Sequence, residues 1–398
     1  MKKINVAIVG LSFGGSFVPI YRDHPDVGKV GLCDLDSGLM NRFGELYGIR
    51  DHYGSLEEVL ADDTMDAVHL VTPIPQHARQ IIQVLRSGRD CACTVPMAVS
   101  HEEVRQIMDA IRESGRKFML METTLYTYQM FYVRQMLEKG EMGKIQFMRG
   151  CHYQDMSGWP SYWEGLPPFW YGTHALSPLL ALSGGRVERV FAYGSGTMSR
   201  ELTEKYGNPY PVETALLEFT GGLKGEVTRS LFETAHVYKE GFCVYGSKKS
   251  FEWGFYDGSK PYVTTLEELA DIELNPDMKG VRGRATPSGE VEVPNYYLDL
   301  PEEIRKYTVG KNYDATNPQN SLKKGAGAGH HGSHPHLVNE FVRAIVENRE
   351  PAIGRKLACE ITETCLCIHD SAMAGGVCME VRESFGSQGS GIKSKEKI

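Results

Sequence analysis

The sequence has no cysteine framework, no basic run of any length and no long apolar segment, and each absence closes off a class of protein. Nine cysteines in 398 residues fall singly or as Cys91-x-Cys93 and Cys365-x-Cys367. An odd count at those spacings matches neither a disulfide scaffold nor a zinc-ligand pattern. They read as reduced, mostly buried thiols of a reducing compartment. A formal net charge of −8, with no Lys/Arg cluster before the last residues, excludes an electrostatic footprint for nucleic acid. No apolar stretch approaches the roughly 18 residues of a membrane helix. The start, MKKINVAIVG, runs from a basic end straight into a β-branched strand with no signal-type cleavage region. The expectation is a cytoplasmic protein without internal repeats, whose ligand is small and neutral or weakly charged.

What is present is ample core material, 41% hydrophobic and 24% charged residues, in a length that suggests two or three domains. Strand-like runs INVAIVG, KVGLCD, AVHLVTP, CACTVP and KFMLMETT alternate with helical spacing over the first 125 residues, the pattern of a parallel sheet with right-handed crossovers. Ser100 and Glu103 form a capping box after the fourth of these runs. From about residue 126 the character changes. A helix from about Tyr126 to Glu138 leads into KIQFMRGCHYQ, then RVFAYGS, ETALLEFTG, KGEVTRSLF, GFCVYGS and SFEWGFY, a series that predicts a mainly antiparallel sheet. A glycine-rich stretch, KKGAGAGHHGSHPH, precedes an amphipathic helix carrying Leu337, Val338, Phe341, Val342 and Ile345.

The first strand ends in Gly10-Leu11-Ser12-Phe13-Gly14-Gly15, a GxGxxG fingerprint with serine at the middle position. Gly10 permits the tight turn, a small residue at Ser12 lets backbone approach a pyrophosphate, and Gly15 allows close helix-to-strand packing. Asp34 closes the second strand where ribose recognition requires an acid. A carboxylate there accepts from both ribose hydroxyls and repels a 2′-phosphate, which favours NAD over NADP. Asp36 either shares that role or is a solvated turn residue. The fold class is therefore α/β: an N-terminal Rossmann domain over residues 1–125, a C-terminal α+β domain with a large, mainly antiparallel sheet over 126–384, and a disordered tail over 385–398.

Ligands of doubly wound sheets lie outside the carboxyl ends of the strands, which places Thr72-Pro73-Ile74-Pro75-Gln76-His77, Thr94-Val95-Pro96 and Glu122 beside the cofactor. A T-P-x-x-x-H run followed by x-x-P after the next strand resembles the Gfo/Idh/MocA family of nicotinamide-dependent sugar oxidoreductases. Most members read E-K-P at the second motif, and its lysine assists proton removal from a sugar hydroxyl; this chain has Val95 instead. A family D-x-x-x-H motif appears as Trp170-Tyr171-Gly172-Thr173-His174, with the aspartate replaced. Tyr171-Gly172-Thr173-His174, Val95 and Gly329-His330-His331-Gly332 resemble the NAD-dependent glycoside hydrolase branch, exemplified by α-N-acetylgalactosaminidases. His331 stands where that branch has glycine.

Imidazole and phenol together can stand in for an ammonium as proton handler, so Tyr171 and His174 are the expected catalytic pair. His330 or His334 is expected to assist departure of the C1 group, and Tyr126, with Tyr128, to face the same cleft. His331 and His336 read as surface or packing. Four histidines across a loop and a helix start, with Pro335 in the first turn, lack an ordered ligand spacing such as HExxH, and no metal is expected. Trp159, Tyr162, Trp163, Phe169 and Trp170 make an aromatic loop that suits the apolar faces of a sugar; the alternative is that Pro167 and Pro168 stitch it into a core. Trp159, Tyr162 and Trp163 are the expected substrate contacts. The resemblance implies a carbohydrate or glycoside substrate, a homodimer or homotetramer through the second sheet, and one of two reactions. Either C3 oxidation opens a redox-neutral glycoside cleavage, or a sugar 3-dehydrogenase releases a keto-sugar and NADH. A sugar-sensing member without turnover is the third reading.

Overall fold

The computed structural model describes residues 3–253, 259–267, 285–309 and 329–382. The expected tail, the 323–328 part of the glycine-rich stretch and the end of SFEWGFY lie outside the described residues. Contacts gather the chain into two units, one built from 1–127, 295–366 and 381–398, the other from 128–294 and 367–380.

In the first unit, β1 (Ile4–Val9), β2 (Val27–Cys33), β3 (Asp51–Tyr53), β4 (Ala67–Leu70), β5 (Asp90–Thr94) and β6 (Phe118–Met121) form a sheet in the order β3-β2-β1-β4-β5-β6. All its pairings are parallel. This is the doubly wound order that the alternating periods predict. Near-continuous apolar runs form the central strands because helices cover both faces. Ser100 caps the next helix, its Oγ accepting from Glu103 N at 3.3 Å, and Glu103 Oε2 reaches back one residue beyond the cap to accept from Val99 N at 2.9 Å.

The second unit holds β7 (Ile145–Tyr153), β8 (Val187–Ser195), β9 (Val212–Phe219), β10 (Lys224–Ser230), β11 (Lys239–Gly246), β12 (Lys249–Glu252), β13 (Tyr262–Thr265), β14 (Ser288–Glu290) and β15 (Met379–Glu380). They form one sheet, ordered β14-β13-β12-β11-β7-β10-β9-β8-β15. Only β7 and β10 pair in parallel. The sheet is mixed and mainly antiparallel, as expected, and the helix Thr173–Ser183 packs on its β7, β10 and β11 strands. No helix of the described residues is long and apolar enough to cross a membrane.

The contacts divide the chain differently from a single boundary near residue 125. The described residues within 295–366 belong with the nucleotide-binding sheet. The reason is the helix Gly329–Val346, whose Leu337, Val338, Phe341 and Val342 are fully buried. It packs on β1 and the turn Thr123–Tyr126, and Arg343 Nη1 bonds Asp26 Oδ2 at 2.7 Å. Its entry is not helical. His330, His331 and Gly332 take φ of 48°, 53° and 79°, and for the two histidines that left-handed conformation costs about 1–3 kcal/mol each.

Two buried histidines make the first unit sensitive to acid. His69 on β4 lies against Phe17, and its Nδ1 sits 3.2 Å from the Tyr21 hydroxyl; burial pushes it down to about 3. Burial pushes His336 down to about 4. Both folded values lie below the unfolded one, near 6.5, so the unfolded chain binds more protons below that pH. The stability these two groups contribute is fully present above pH 6.5 and is lost as pH falls towards their folded values. The thermal midpoint should drop between pH 7 and pH 5, and His336→Gln should flatten that slope. An unchanged slope in the variant contradicts the assignment.

Candidate active site

The nucleotide end of the first unit is built on Gly10. It takes φ 92°, and a Cβ there would meet Val71 O at 2.4 Å, so no other residue fits. The close approach to β1 is made by Gly14, where a Cβ would lie 3.2 Å from Ile8 and Val71. The segment after β1 is two short helices, Leu11–Gly14 and Val18–Asp23, and Ser12 and Phe13 are exposed on the first. Asp34 is fixed from both sides: its Oδ2 accepts from Leu11 N at 2.6 Å and its Oδ1 from Asp36 N at 2.9 Å. Each carboxylate oxygen keeps a further lone pair for a ribose hydroxyl. Asp36 is a helix cap, accepting from Leu39 N at 3.0 Å. A turn closed to any Cβ, beside an anchored acid, fits a dinucleotide.

The strand-end loops are tied together by His77. Its Nδ1 lies 2.7 Å from Pro96 O and its Nε2 2.6 Å from Thr72 O. Both ring nitrogens therefore face carbonyls, and His77 ties the two motif loops together. Thr72 Oγ1 bonds Gln80 Oε1 at 2.5 Å, and Thr94 Oγ1 bonds Leu70 O at 3.3 Å. Pro73 is exposed, whereas Val95 and Pro96 are buried. Glu122 is buried too, its Oε1 accepting from Thr124 N and Oγ1 at 3.0 and 2.8 Å, which makes it the cap of the turn Thr123–Tyr126.

His330, His334 and Tyr126 fall in the first unit, Tyr171 and His174 in the second. His334 is fully buried, 4.4 Å from the Phe17 ring and 5.6 Å from Phe13. His330 sits 6.2 Å from Phe13 and 5.8 Å from His334. His334 thus packs on Phe13 and Phe17, and His330 on Phe13 and His334. Tyr126 stacks on His336 at 6.4 Å.

In the second unit the Tyr171 hydroxyl lies 3.3 Å from His174 Nε2. The turn Pro168–Tyr171 and the helix starting at Thr173 bring them together. Their surroundings were not foreseen. Glu240 on β11 is buried, with Oε1 3.8 Å from the same His174 nitrogen, and it accepts a hydrogen bond from the Tyr238 hydroxyl. His152 on β7 is fully buried, its ring centroid 5.0 Å from that of His174. The donor atoms of His152, His174 and Glu240 lie within 4.8 Å of one another. Arg229 on β10, fully buried, donates to Tyr171 O and His152 O, each at 3.0 Å, and lies over the Tyr171 ring at 5.2 Å. Burial lowers its pKa to about 10, so it stays charged at neutral pH and balances Glu240. The signal in the sequence was a charged or histidine residue inside each buried strand run, a placement that needs a partner.

The aromatic loop divides. Trp163 is buried edge-on to Tyr171 at 4.8 Å, Tyr162 is half-buried against Trp163 at 5.5 Å, and Trp159 is 49% exposed. Phe169 is fully buried, its N–H bonding Glu213 Oε2 at 3.0 Å. Trp170 packs between Tyr206 and His369 at 5.6 and 5.7 Å. The loop is thus partly core, and Trp159 presents the open ring.

Asp34 generates a prediction that a binding titration checks. Asp34→Ala removes a charged acceptor worth about 1.5–3 kcal/mol, so NAD should bind about tenfold to a hundredfold more weakly and NADP should gain. Equal binding of NAD and NADP by the unaltered protein contradicts the role.

Comparison with known proteins agrees with this architecture. Residues 4–122 match the oxidoreductase family with NAD-binding Rossmann fold, and residues 130–252 match the GFO/IDH/MocA C-terminal domain. A glycosyl hydrolase family 109 protein of Saccharopolyspora erythraea is 23% identical over 261 residues, 58% of this chain and 55% of that protein. One from Shewanella baltica is 25% identical over 196 residues, 45% and 42% of the two chains. The chain spans about half the length of the curated relatives it matches. Among solved structures, an NAD binding oxidoreductase from Klebsiella pneumoniae superposes with a TM-score of 0.74 at 16% identity, covering 96% of this chain and 99% of that one. Levoglucosan dehydrogenase in complex with NADH gives 0.73 at 17%, covering 96% and 100%. At these identities the structural likeness speaks for the fold alone. The two domain matches together take in most of both units, and the chain is a Gfo/Idh/MocA-family oxidoreductase with an NAD-binding Rossmann domain.

Proposed function

We propose that this enzyme is an NAD-dependent glycosidase that cleaves by transient oxidation at sugar C3, elimination across C1–C2, water addition and re-reduction. The observation that carries the reading is the Tyr171 hydroxyl 3.3 Å from His174 Nε2 in a chain with Val95 at the lysine position. The Gly10 turn and Asp34 would hold NAD, which would supply hydride-transfer chemistry at C3. The chain's own residues move protons. Tyr171, with His174 behind it, takes the C3 hydroxyl proton. The pair gives that proton up to solvent; the C3 ketone acidifies the C2–H, the freed pair removes that proton, and the C1 substituent leaves with its bonding electrons and takes up a proton from water. Trp159 gives an open ring for the apolar face of the sugar.

Support also comes from the curated relatives, which are named glycosyl hydrolase family 109 proteins. We further propose a homo-oligomer: Phe191 and Leu216, cross-strand partners on β8 and β9, and Tyr193 leave 41%, 57% and 60% of their surface exposed on one sheet, a patch that suits a second copy. The cysteines among the described residues are all free thiols, which supports a reducing compartment.

Mixing the protein with NAD and a panel of nitrophenyl glycosides, while following nitrophenol and NADH together, tests the reading. Nitrophenol release without NADH accumulation is expected, and Tyr171→Phe should lower kcat by about 10²–10⁴-fold. NADH in proportion to substrate, with the glycosidic bond intact, would instead identify a sugar 3-dehydrogenase.

A further inference from the structure

Glu240 has no counterpart in the motifs that identify the family, yet it occupies the centre of the second unit's chemistry. A buried carboxylate needs compensation, and the structure supplies it from three sides. Tyr238 donates to its Oε1, Arg229 stands in its field from β10, and His174 Nε2 lies 3.8 Å away at the start of a helix. The last distance is too long for a hydrogen bond and short enough for strong charge interaction in a buried site. The same nitrogen faces the Tyr171 hydroxyl at 3.3 Å. His174 therefore stands between a phenol and a fixed negative charge.

We propose that Glu240 is a positioning residue that acts through His174: its carboxylate raises the proton affinity of the imidazole and holds the counter-charge when Tyr171 passes a proton back. In that step the substrate O–H bond breaks as a new Tyr171 O–H bond forms, and the proton Tyr171 carried moves to His174 Nε2. An alkoxide is left on the sugar and an imidazolium beside Glu240; the imidazolium returns the proton by the same route. The groups facing His174 are Tyr171 from the preceding turn, His152 from β7 and Glu240 from β11; behind them stand Arg229 from β10, bonded to Tyr171 O, and Tyr238, bonded to Glu240. Arg229 and His152 oppose a second positive charge there, and Glu240 is the anion that offsets it. The charge of Arg229 also argues for proton chemistry over a cation held between His152, His174 and Glu240, since a divalent ion would add to a positive charge already buried. The inference rests on the proposed role of the Tyr171–His174 pair.

The test is a histidine NMR titration of the NAD-loaded full chain, with the His174 resonance assigned by its loss in His174→Gln. Glu240→Gln should lower the His174 pKa by about one unit or more, a tenfold change in proton affinity. Its kcat should fall about tenfold to a hundredfold with KM nearly unchanged, and the acidic limb of the rate profile should move down by the same amount. Tyr238→Phe, which unmasks the carboxylate, should move the His174 pKa up, and serves if the glutamine variant does not fold. An unmoved titration in a folded variant overturns the proposal, as does one equivalent of zinc retained by the unaltered protein and lost with Glu240→Gln. Because the titration needs no substrate, a shifted His174 in a protein that turns over no sugar would sink the glycosidase reading and leave Glu240's influence standing. Glycoside turnover with an unmoved titration would do the reverse.

Discussion

Arg229 is a fully buried cation, and the second unit's chemistry depends on where its N–H groups go. Nε bonds Tyr171 O, Nη1 bonds the carbonyls of His152 and Ser230, and Nη2 bonds Gln154 Oε1 at 3.3 Å. An unpaired guanidinium in that position would be very costly. With those bonds made, one side chain pins β7, β10 and the turn that carries Tyr171. Its charge also permits a buried carboxylate, Glu240, beside His174. A neutral residue at 229 would leave both the turn without its anchor and the carboxylate without its balance.

This arrangement bears on the absence of lysine from the motif after β5. A lysine contributes a movable proton and a positive charge. Val95 contributes neither, and the Tyr171–His174 pair with Arg229 holds both kinds of group on the scaffold of the second unit. The guanidinium is held rigid by carbonyls, and packing sets the phenol and the imidazole side by side; the proton path between them is the one proposed above. The aromatic residues around them are divided in the same way: Phe169, Trp163 and Trp170 position the turn, and Trp159 is left open.

Much of the fold was legible because it rests on periodicity. The strand and helix periods of the first 125 residues, the glycine turn and Asp34 predict the parallel sheet and its nucleotide end. The edge strand β3 was not among the expected strands because three residues with no apolar alternation leave no pattern. The place of the helix Gly329–Val346 was missed for a different reason: its apolar face announces that it packs, but not on which sheet. His330 and His334 stand out in the sequence beside glycines and a helix start, but nothing in that pattern announces their packing against Phe13 and Phe17. Tyr171 and His174 were found because they are close in sequence. Glu240, Arg229 and His152 come from three separate strands, and only the register of β7, β10 and β11 makes them neighbours.

The most direct measurement is the fate of the C2 proton. The NAD-loaded enzyme is incubated with a cleavable glycoside in deuterium oxide, and the released sugar is analysed by NMR. If the Tyr171–His174 pair removes the C2 proton before the C1 bond breaks, the product carries deuterium at C2 and no NADH is left over. A product that keeps hydrogen at C2 contradicts the account.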